Sequence, residues 1–511
     1  MPSDTTNPTR RDFLKTMAAA AVSANIVGCT KTRRKPNLLF IWTDEQRADT
    51  MRIYGNAKIH APNLNTLAAQ SVVFRNATVS QPVCTPSRST VMTGLMPHQN
   101  GCVENNIPLP ENIPCLPELL DDPDYCTGYF GKWHLGDEIF PQHGFDEWES
   151  IEDMYRRHYR DHRDQSQKSS YWHFLDQLGY EPDTDKGDYS RGFAARLPIE
   201  HCKPKFLELK ACDFLRRHSK QPFMLYINFL EPHMPFYGPL DNKHHPDEID
   251  LPRNFTDILE ENEPLRYRLI RERYRQRGFE GHDLQTESGW RRLIANYWGL
   301  VTQVDLSVGA ILKTLAELGL DENTIVVYTS DHGDMMGAHS LLAKTVMYEE
   351  ALKVPWLMRI PRLGKKQRII ENRVSQIDLV PTLLELMGKP GRKDLPGQSL
   401  LPLVNGDSVK EDHVFVEWNP PLVHGSPPQN IPAVPQEEVD RAFRANTRTV
   451  ISPDGWKLCL SDGDKCQLFD LNHDPWETTN LFDSGRHKEV ISRLTVKIHD
   501  WQQRVSDTVA I

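Results

Sequence analysis

Four segments of the 511-residue chain share one pattern: a short unbroken apolar run, β-branched or aromatic, followed at once by charged or imidazole residues. They are NLLFIW (37–42) before Thr43-Asp44-Glu45, TGYF (127–130) before Gly131-Lys132-Trp133-His134, FMLYINF (223–229) before Glu231-Pro232-His233, and TIVVYTS (324–330) before Asp331-His332-Gly333-Asp334. Apolar runs without alternation suit strands buried on both faces. Helical spacing lies between them: Leu300, Val304, Val308, Ile311, Leu312, Leu315 and Leu318 recur at three and four, and Gly319 stops the run. A second such helix is predicted over 375–388, ending at Gly388. Strands alternating with helices predict an α/β fold with a large, mostly parallel central sheet sandwiched by helices.

The pattern changes toward the C-terminus. The segment 396–406 reads as a loop, HVFVEW (413–418) as a short strand, and the proline-rich 419–436 as a linker or lid. Residues 448–460 and 465–471 read as antiparallel strands around turns, and the stretch from His487 to Val505 as a final helix. The predicted organisation is a leader over 1–35, a catalytic domain over 36–440, and a smaller α+β subdomain with an antiparallel sheet over 441–511.

In open α/β sheets, ligands bind at the carboxyl ends of the strands, and all four polar clusters fall there. One acid after a strand is unremarkable, and His332 or Lys132 alone reads equally well as a satisfied core histidine or a solvated lysine. Four clusters together predict one site. Asp44, Glu45 and Asp331 supply hard oxygen donors that repel one another unless a cation sits among them. Calcium is the expectation, with magnesium as the alternative. Lys132, Arg88, Lys344 and the histidines add positive charge, a combination that fits a tetrahedral oxyanion, sulfate or phosphate.

Composition narrows the partners. Hydrophobic residues make up 39% and the formal net charge is −10, which argues against nucleic acid as a partner. Near the N-terminus, Arg10-Arg11 precede Phe13-Leu14-Lys15 and a mild apolar run ending at Gly28-Cys29. This resembles a twin-arginine export signal with a lipoprotein processing site. The resemblance implies a periplasmic or cell-envelope protein that meets the membrane only through a lipid anchor at Cys29. The alternative is a disordered basic tail. The apolar run is too short for a membrane span.

Nine cysteines occur and none forms a CxxC pair, so the sequence does not indicate zinc. Cys459 and Cys466 flank a turn; they are either a disulfide of an oxidising compartment or free thiols. Arg156, Arg157, Arg160 and Arg163, in the charged insertion 150–215, either contact a polyanionic sugar or form a solvated helix face. A second charged insertion covers 254–292. Cys84, in QPVCTPSRSTVMTG, is locally ambiguous: a small buried hydrophobe, a nucleophile, a metal ligand or a precursor.

CTPSR at 84–88 resembles the C-x-P-S-R signature of type I sulfatases, and TDEQRAD (43–49), GKWHLG (131–136), EPHMPF (231–236) and SDHGDMMGAH (330–339) follow in that family's order. The resemblance spans 36–511 and includes DLNHDPWETTNL (470–481). It implies an alkaline-phosphatase-like fold and a sulfuric ester hydrolase acting on a sulfated carbohydrate. It further implies that a maturation enzyme oxidises Cys84 to Cα-formylglycine, whose hydrate attacks sulfur. By the same resemblance Asp44, Glu45, Asp331 and His332, with residue 84, hold the cation, and Arg88 steadies them. Lys132, Lys344 and His233 grip the sulfate, His233 or Lys344 protonates the leaving alcohol, and His134 takes the proton that releases sulfate. Two positions depart from the commoner pattern: Glu45 stands where many members have a second aspartate, and His332 where some have asparagine. Both variants resemble the branch of choline sulfatases, carbohydrate sulfatases and phosphonate monoester hydrolases. The alternative functions are therefore a phosphonate monoester or phosphodiester hydrolase, or an inactive lipoprotein that binds sulfated glycans.

Overall fold

The computed structural model describes residues 34–407, 412–421, 427–429, 431–432 and 434–511. The leader and Cys29 lie outside the described residues. Residues 36–511 form one compact unit.

Nine strands build the main sheet: β1 (Asn37–Asp44), β2 (Val72–Thr78), β3 (Cys126–Gly131), β4 (Glu147–Ser150), β5 (Phe223–Pro232), β6 (Thr324–Ser330), β7 (Lys353–Val354), β8 (Trp356–Arg359) and β9 (Arg368–Ser375). The order is β4-β3-β5-β1-β6-β8-β2-β7, with β9 also on β2. From β4 to β6 every pairing is parallel; β8 runs antiparallel to both β6 and β2. Every residue of β1 is buried. Leu38, Phe40 and Trp42 enter one apolar layer and Leu39 and Ile41 the other, as a centre strand covered on both faces requires. The helices Lys203–Arg217 and Glu287–Glu317 pack on the second face, and Cys84–Thr93 and Leu379–Leu386 on the first.

Register delivers the site. Thr43 pairs with Ser330, and after a bulge Asp44 pairs with Pro232. The residues that leave β1, β5 and β6 are therefore neighbours at one sheet edge. β2 runs parallel to β6, so its end also reaches that edge and leads into the Cys84–Thr93 helix.

A four-stranded antiparallel sheet follows, β10 (Val414–Trp418), β11 (Thr447–Ile451), β12 (Trp456–Ser461) and β13 (Gln467–Asp470), covered by the helix Lys488–Val505 through Leu494 and Ile498. Its first strand lies before residue 441, so the smaller sheet draws on chain from both sides of the proline-rich segment. The stretch 396–406, read as a loop, contains the short helix Leu401–Asn405. Cys459 and Cys466 are free thiols, because Cys459 pairs with Gln467 in the hairpin register and not with Cys466.

Candidate active site

Cys84 begins a ten-residue helix in which every residue is buried. Pro86 sits in the first turn, where its missing N–H is no loss, and Gly94 closes the helix in the left-handed conformation. This helix carries Arg88 into the centre of the site. Its guanidinium is fully buried and spends all three nitrogens: Nε donates to Asp331 Oδ2 at 2.9 Å, Nη2 to Asp44 Oδ2 at 2.9 Å, and Nη1 to Lys132 O at 2.8 Å and Asn228 Oδ1 at 2.9 Å. One side chain thus ties together the ends of β1, β3, β5 and β6. Gly131 permits the close approach on the β3 side, since a Cβ there would lie 1.9 Å from Asn228 O.

The structure gathers every predicted residue at this edge. Cys84 Sγ lies 3.4 Å from His332 Nε2 and 3.8 Å from Asp44 Oδ1. Lys132 Nζ contacts Asp44 Oδ2 at 2.5 Å. Glu45 Oε2 accepts from Lys344 Nζ at 2.7 Å and lies 3.4 Å from His233 Nε2. Several non-glycine residues around the site hold positive φ: Glu45 (68°), His134 (55°), Ala343 (65°) and Thr345 (78°). Such backbone is unfavourable unless its surroundings enforce it, and it clusters at functional sites.

Charge is arranged with equal care. Burial pushes Asp44 up, but Lys132, His233 and Arg88 together hold it well below the usual carboxylate range. Burial and Asp44 oppose a Cys84 thiolate, yet Lys344, Lys132 and His332 bring the group below an ordinary thiol. Burial, reinforced by Lys132 and Arg88, keeps His134 well below 6.5 and therefore neutral. Its Nε2 lies 3.0 Å from the acceptor Asn106 Oδ1 and so carries the hydrogen, while the buried Nδ1 has no partner among the described residues. A neutral imidazole with a free, buried lone pair is a base.

The donor set also suits a divalent cation. Asp44, Cys84, Asp331 and His332 place donor atoms within 4.8 Å of one another. His332 Nδ1 donates to Gly333 O at 2.9 Å, which aims the Nε2 lone pair into that group. Burial disfavours a charged imidazole here, yet the adjacent Asp331 lifts His332 to about 9, so this point of the site favours positive charge. Carboxylate oxygens with one imidazole match a hard or borderline cation. Glu45 belongs to a different group, with Asp44 and His233. Its carboxyl, raised to about 8 by burial despite Lys344, faces the lysine and not Asp331. Asp44 is common to both groups, so the longer side chain at this position stays beside the four-residue set and is held by the lysine.

Above residue 84 opens a cleft of about 1180 Å³ lined by Lys132, His134, His233 and Lys344. Sequence reasoning missed three of its walls' components. Asn106 orients His134 and belongs to no motif. Tyr155 lies against the His134 ring at 4.3 Å between centroids. Arg191 enters from the 150–215 insertion and donates through Nε to buried Glu152 at 2.7 Å. Of the four arginines weighed there for sugar contact, Arg156 pairs with Asp153 and Asp188, and Arg160 and Arg163 both pair with Asp137; only Arg157 lines the cleft.

A mostly parallel sheet whose carboxyl edge gathers buried carboxylates, lysines, an arginine and histidines, together with a separate small antiparallel sheet, is an alkaline-phosphatase-like fold. The Agrobacterium radiobacter phosphonate monoester hydrolase has this fold: TM-score 0.74 at 22% identity, covering 92% of this chain and 96% of that one. The Sulfatase family profile matches residues 36–389. The chain belongs to the sulfatase family and is a sulfuric ester hydrolase. Its relatives include an ulvan-active sulfatase of Formosa agariphila, 27% identical over 91% of this chain and 80% of the relative. Another is a Δ4,5-hexuronate-2-O-sulfatase of Bacteroides thetaiotaomicron, 25% identical over 93% of this chain and 91% of the relative.

Proposed function

We propose that the enzyme removes sulfate from a sulfated carbohydrate, with residue 84 acting as formylglycine and a divalent cation held by Asp44, Asp331, His332 and residue 84. The observation that carries this reading is the position of Cys84. It opens a buried helix inside the C-x-P-S-R signature, and its Sγ stands within 3.4–3.8 Å of His332 and Asp44. The hydrated aldehyde would supply a hydroxyl nucleophile toward sulfur and a second hydroxyl whose deprotonation expels sulfate without a separate water. The cation would supply Lewis-acid stabilisation of negative oxygen.

The chain's own residues do the rest. Lys132, held charged against burial chiefly by Asp44, and Lys344, held charged against burial by Cys84 and then by Glu45 and Asp44, meet the sulfate oxygens as charge spreads onto them. His233 Nε2 and Lys344 Nζ converge on Glu45 Oε2, so the proton for the leaving alcohol comes from this cluster. His134 Nδ1 receives the proton that releases sulfate, because Asn106, bonded to the opposite nitrogen Nε2, fixes the tautomer that leaves Nδ1 free. Arg88 holds Asp44 and Asp331 together by pairing with both carboxylates from the residue-84 helix.

The carbohydrate class is supported by the similarity to an ulvan-active sulfatase and a Δ4,5-hexuronate-2-O-sulfatase. The leader supports twin-arginine export with a lipid anchor at Cys29, which would let maturation occur before export. Turnover of an aryl sulfate, a phosphonate monoester and a phosphodiester by the matured enzyme tests the reaction class. Sulfate ester hydrolysis is expected to dominate; dominant phosphodiesterase activity would contradict it. Cys84→Ala is expected to abolish turnover with the fold intact, and activity like the wild type would remove residue 84 from the chemistry.

A further inference from the structure

The chain is acidic overall, with net charge −10, but its cleft is basic. Lys132, Lys344 and Arg191 stand near residue 84. Beyond them Arg157, Arg266, Arg273 and Arg277 line the walls, where Glu272 is the one carboxylate among the described lining residues. Segregating positive charge into one concavity of an acidic protein focuses the field on anionic ligands.

The helix Leu265–Arg277, LRYRLIRERYRQR, forms one wall. Its arginines have different duties. Arg266 is buried, donates to Thr345 O, and lies 4.4 Å above the Trp418 ring, so it holds the wall in place. Arg275 lies 3.6 Å from Glu272 and does not line the cleft. Arg273 and Arg277 are exposed, line the cleft, and form no ion pair among the described residues. They are one turn apart on the same face, a like-charge arrangement that is unfavourable in an isolated helix. An anion between them removes that repulsion and is gripped from two sides. The cleft volume of about 1180 Å³ exceeds the roughly 300–1,000 Å³ of ordinary small-ligand pockets. It has room for more than the sulfate ester undergoing cleavage.

We propose that Arg273 and Arg277 form an anion-reading subsite, selecting substrates that carry a second sulfate or carboxylate in addition to the ester being hydrolysed. The subsite rests on the sulfatase reading above for the position of the first sulfate. It is tested by calorimetric binding of a heparin-derived tetrasaccharide to the wild-type chain, to R273A/R277A and to R275A. The double variant should bind about 10-fold more weakly or worse, while R275A stays within twofold of the wild type. Raising the salt from 50 to 300 mM NaCl (on the order of a twofold change in screening length) should weaken the wild type more than the double variant. Equal binding by wild type and double variant, equal losses in R275A and the double variant, or no binding to the wild type would each overturn the subsite. Because the readout is binding, it does not depend on turnover. Loss of the sulfatase reading would show separately, as absent hydrolysis of 4-nitrophenyl sulfate by the matured wild type. Unchanged melting temperatures confirm that the variants are folded.

Discussion

Replacing Arg88 with methionine, which keeps an unbranched apolar stem and removes the guanidinium and its charge, should destabilise the protein more than almost any other single change. Four hydrogen bonds are lost, two of them to carboxylates, and none of the partners can reach water. The loss is unevenly shared. Asp44 Oδ2 keeps Lys132 at 2.5 Å, and Asp331 Oδ1 keeps the backbone N–H groups of Glu45 and His332 at 2.9 and 2.8 Å. Asp331 Oδ2, by contrast, loses its ion pair altogether. Removing one partner of a buried pair costs about 3–5 kcal/mol, because the other charge stays buried. With a urea slope of about 3 kcal/mol per M, at the upper end of the range for small proteins, the unfolding midpoint should fall by about 1 M or more. Arg88→Lys keeps the charge but cannot fork to both carboxylates, so it should lose about half as much. Tryptophan fluorescence in urea, recorded without added metal, measures both. A midpoint shift below about 0.3 M for the methionine variant, roughly 1 kcal/mol on the same slope, would refute the view that Arg88 is what allows these carboxylates to be buried together.

Three further outcomes follow from the same geometry. Asp331→Asn should weaken divalent-cation binding and turnover together; unchanged cation affinity by calorimetry would remove Asp331 from the ligands. Chelator treatment should lower the melting temperature and calcium or magnesium restore it, since a cation at about 100 times its Kd adds about 2.7 kcal/mol to the folded state; no shift on either step would contradict a resident cation. His134 and His233 are both held well below 6.5, largely by burial, so the unfolded chain binds protons below that pH that the folded chain refuses. Stability should therefore fall as pH drops below about 6.5, and the acid limb of kcat/KM should lie below that value; a limb at or above 6.5 would show that His134 is not the neutral base.

What the sequence made legible was the local design. Continuous apolar runs announced β1, β3, β5 and β6, and the residues just after them are the ones that meet at the sheet edge. A buried strand must be apolar throughout, and its polar exit must be functional or paired, so both signals are short-range. Long-range pairing was not legible. Nothing local says that β8 inverts between β6 and β2, or that Val414–Trp418 joins a sheet whose other strands begin some thirty residues later. Residue type likewise did not reveal partners. Arg160 and Arg163 look like a solvated or ligand-binding run, but both are drawn onto buried Asp137, more than twenty residues upstream. The orientation of Glu45 depended on its positive φ and on Lys344, 299 residues away. Arg273 and Arg277 were part of a charged insertion whose cleft-facing side is set by where the helix packs.

The central claim is that residue 84 works as an aldehyde made from cysteine, and mass analysis of the peptide carrying it tests that claim most directly. In protein from a host with the maturation enzyme, the peptide should be lighter than the encoded sequence by loss of hydrogen sulfide and gain of an oxygen atom. It should also form a hydrazone with an added hydrazine, in proportion to specific activity across preparations. Full activity from protein whose Cys84 is an unmodified thiol would contradict it.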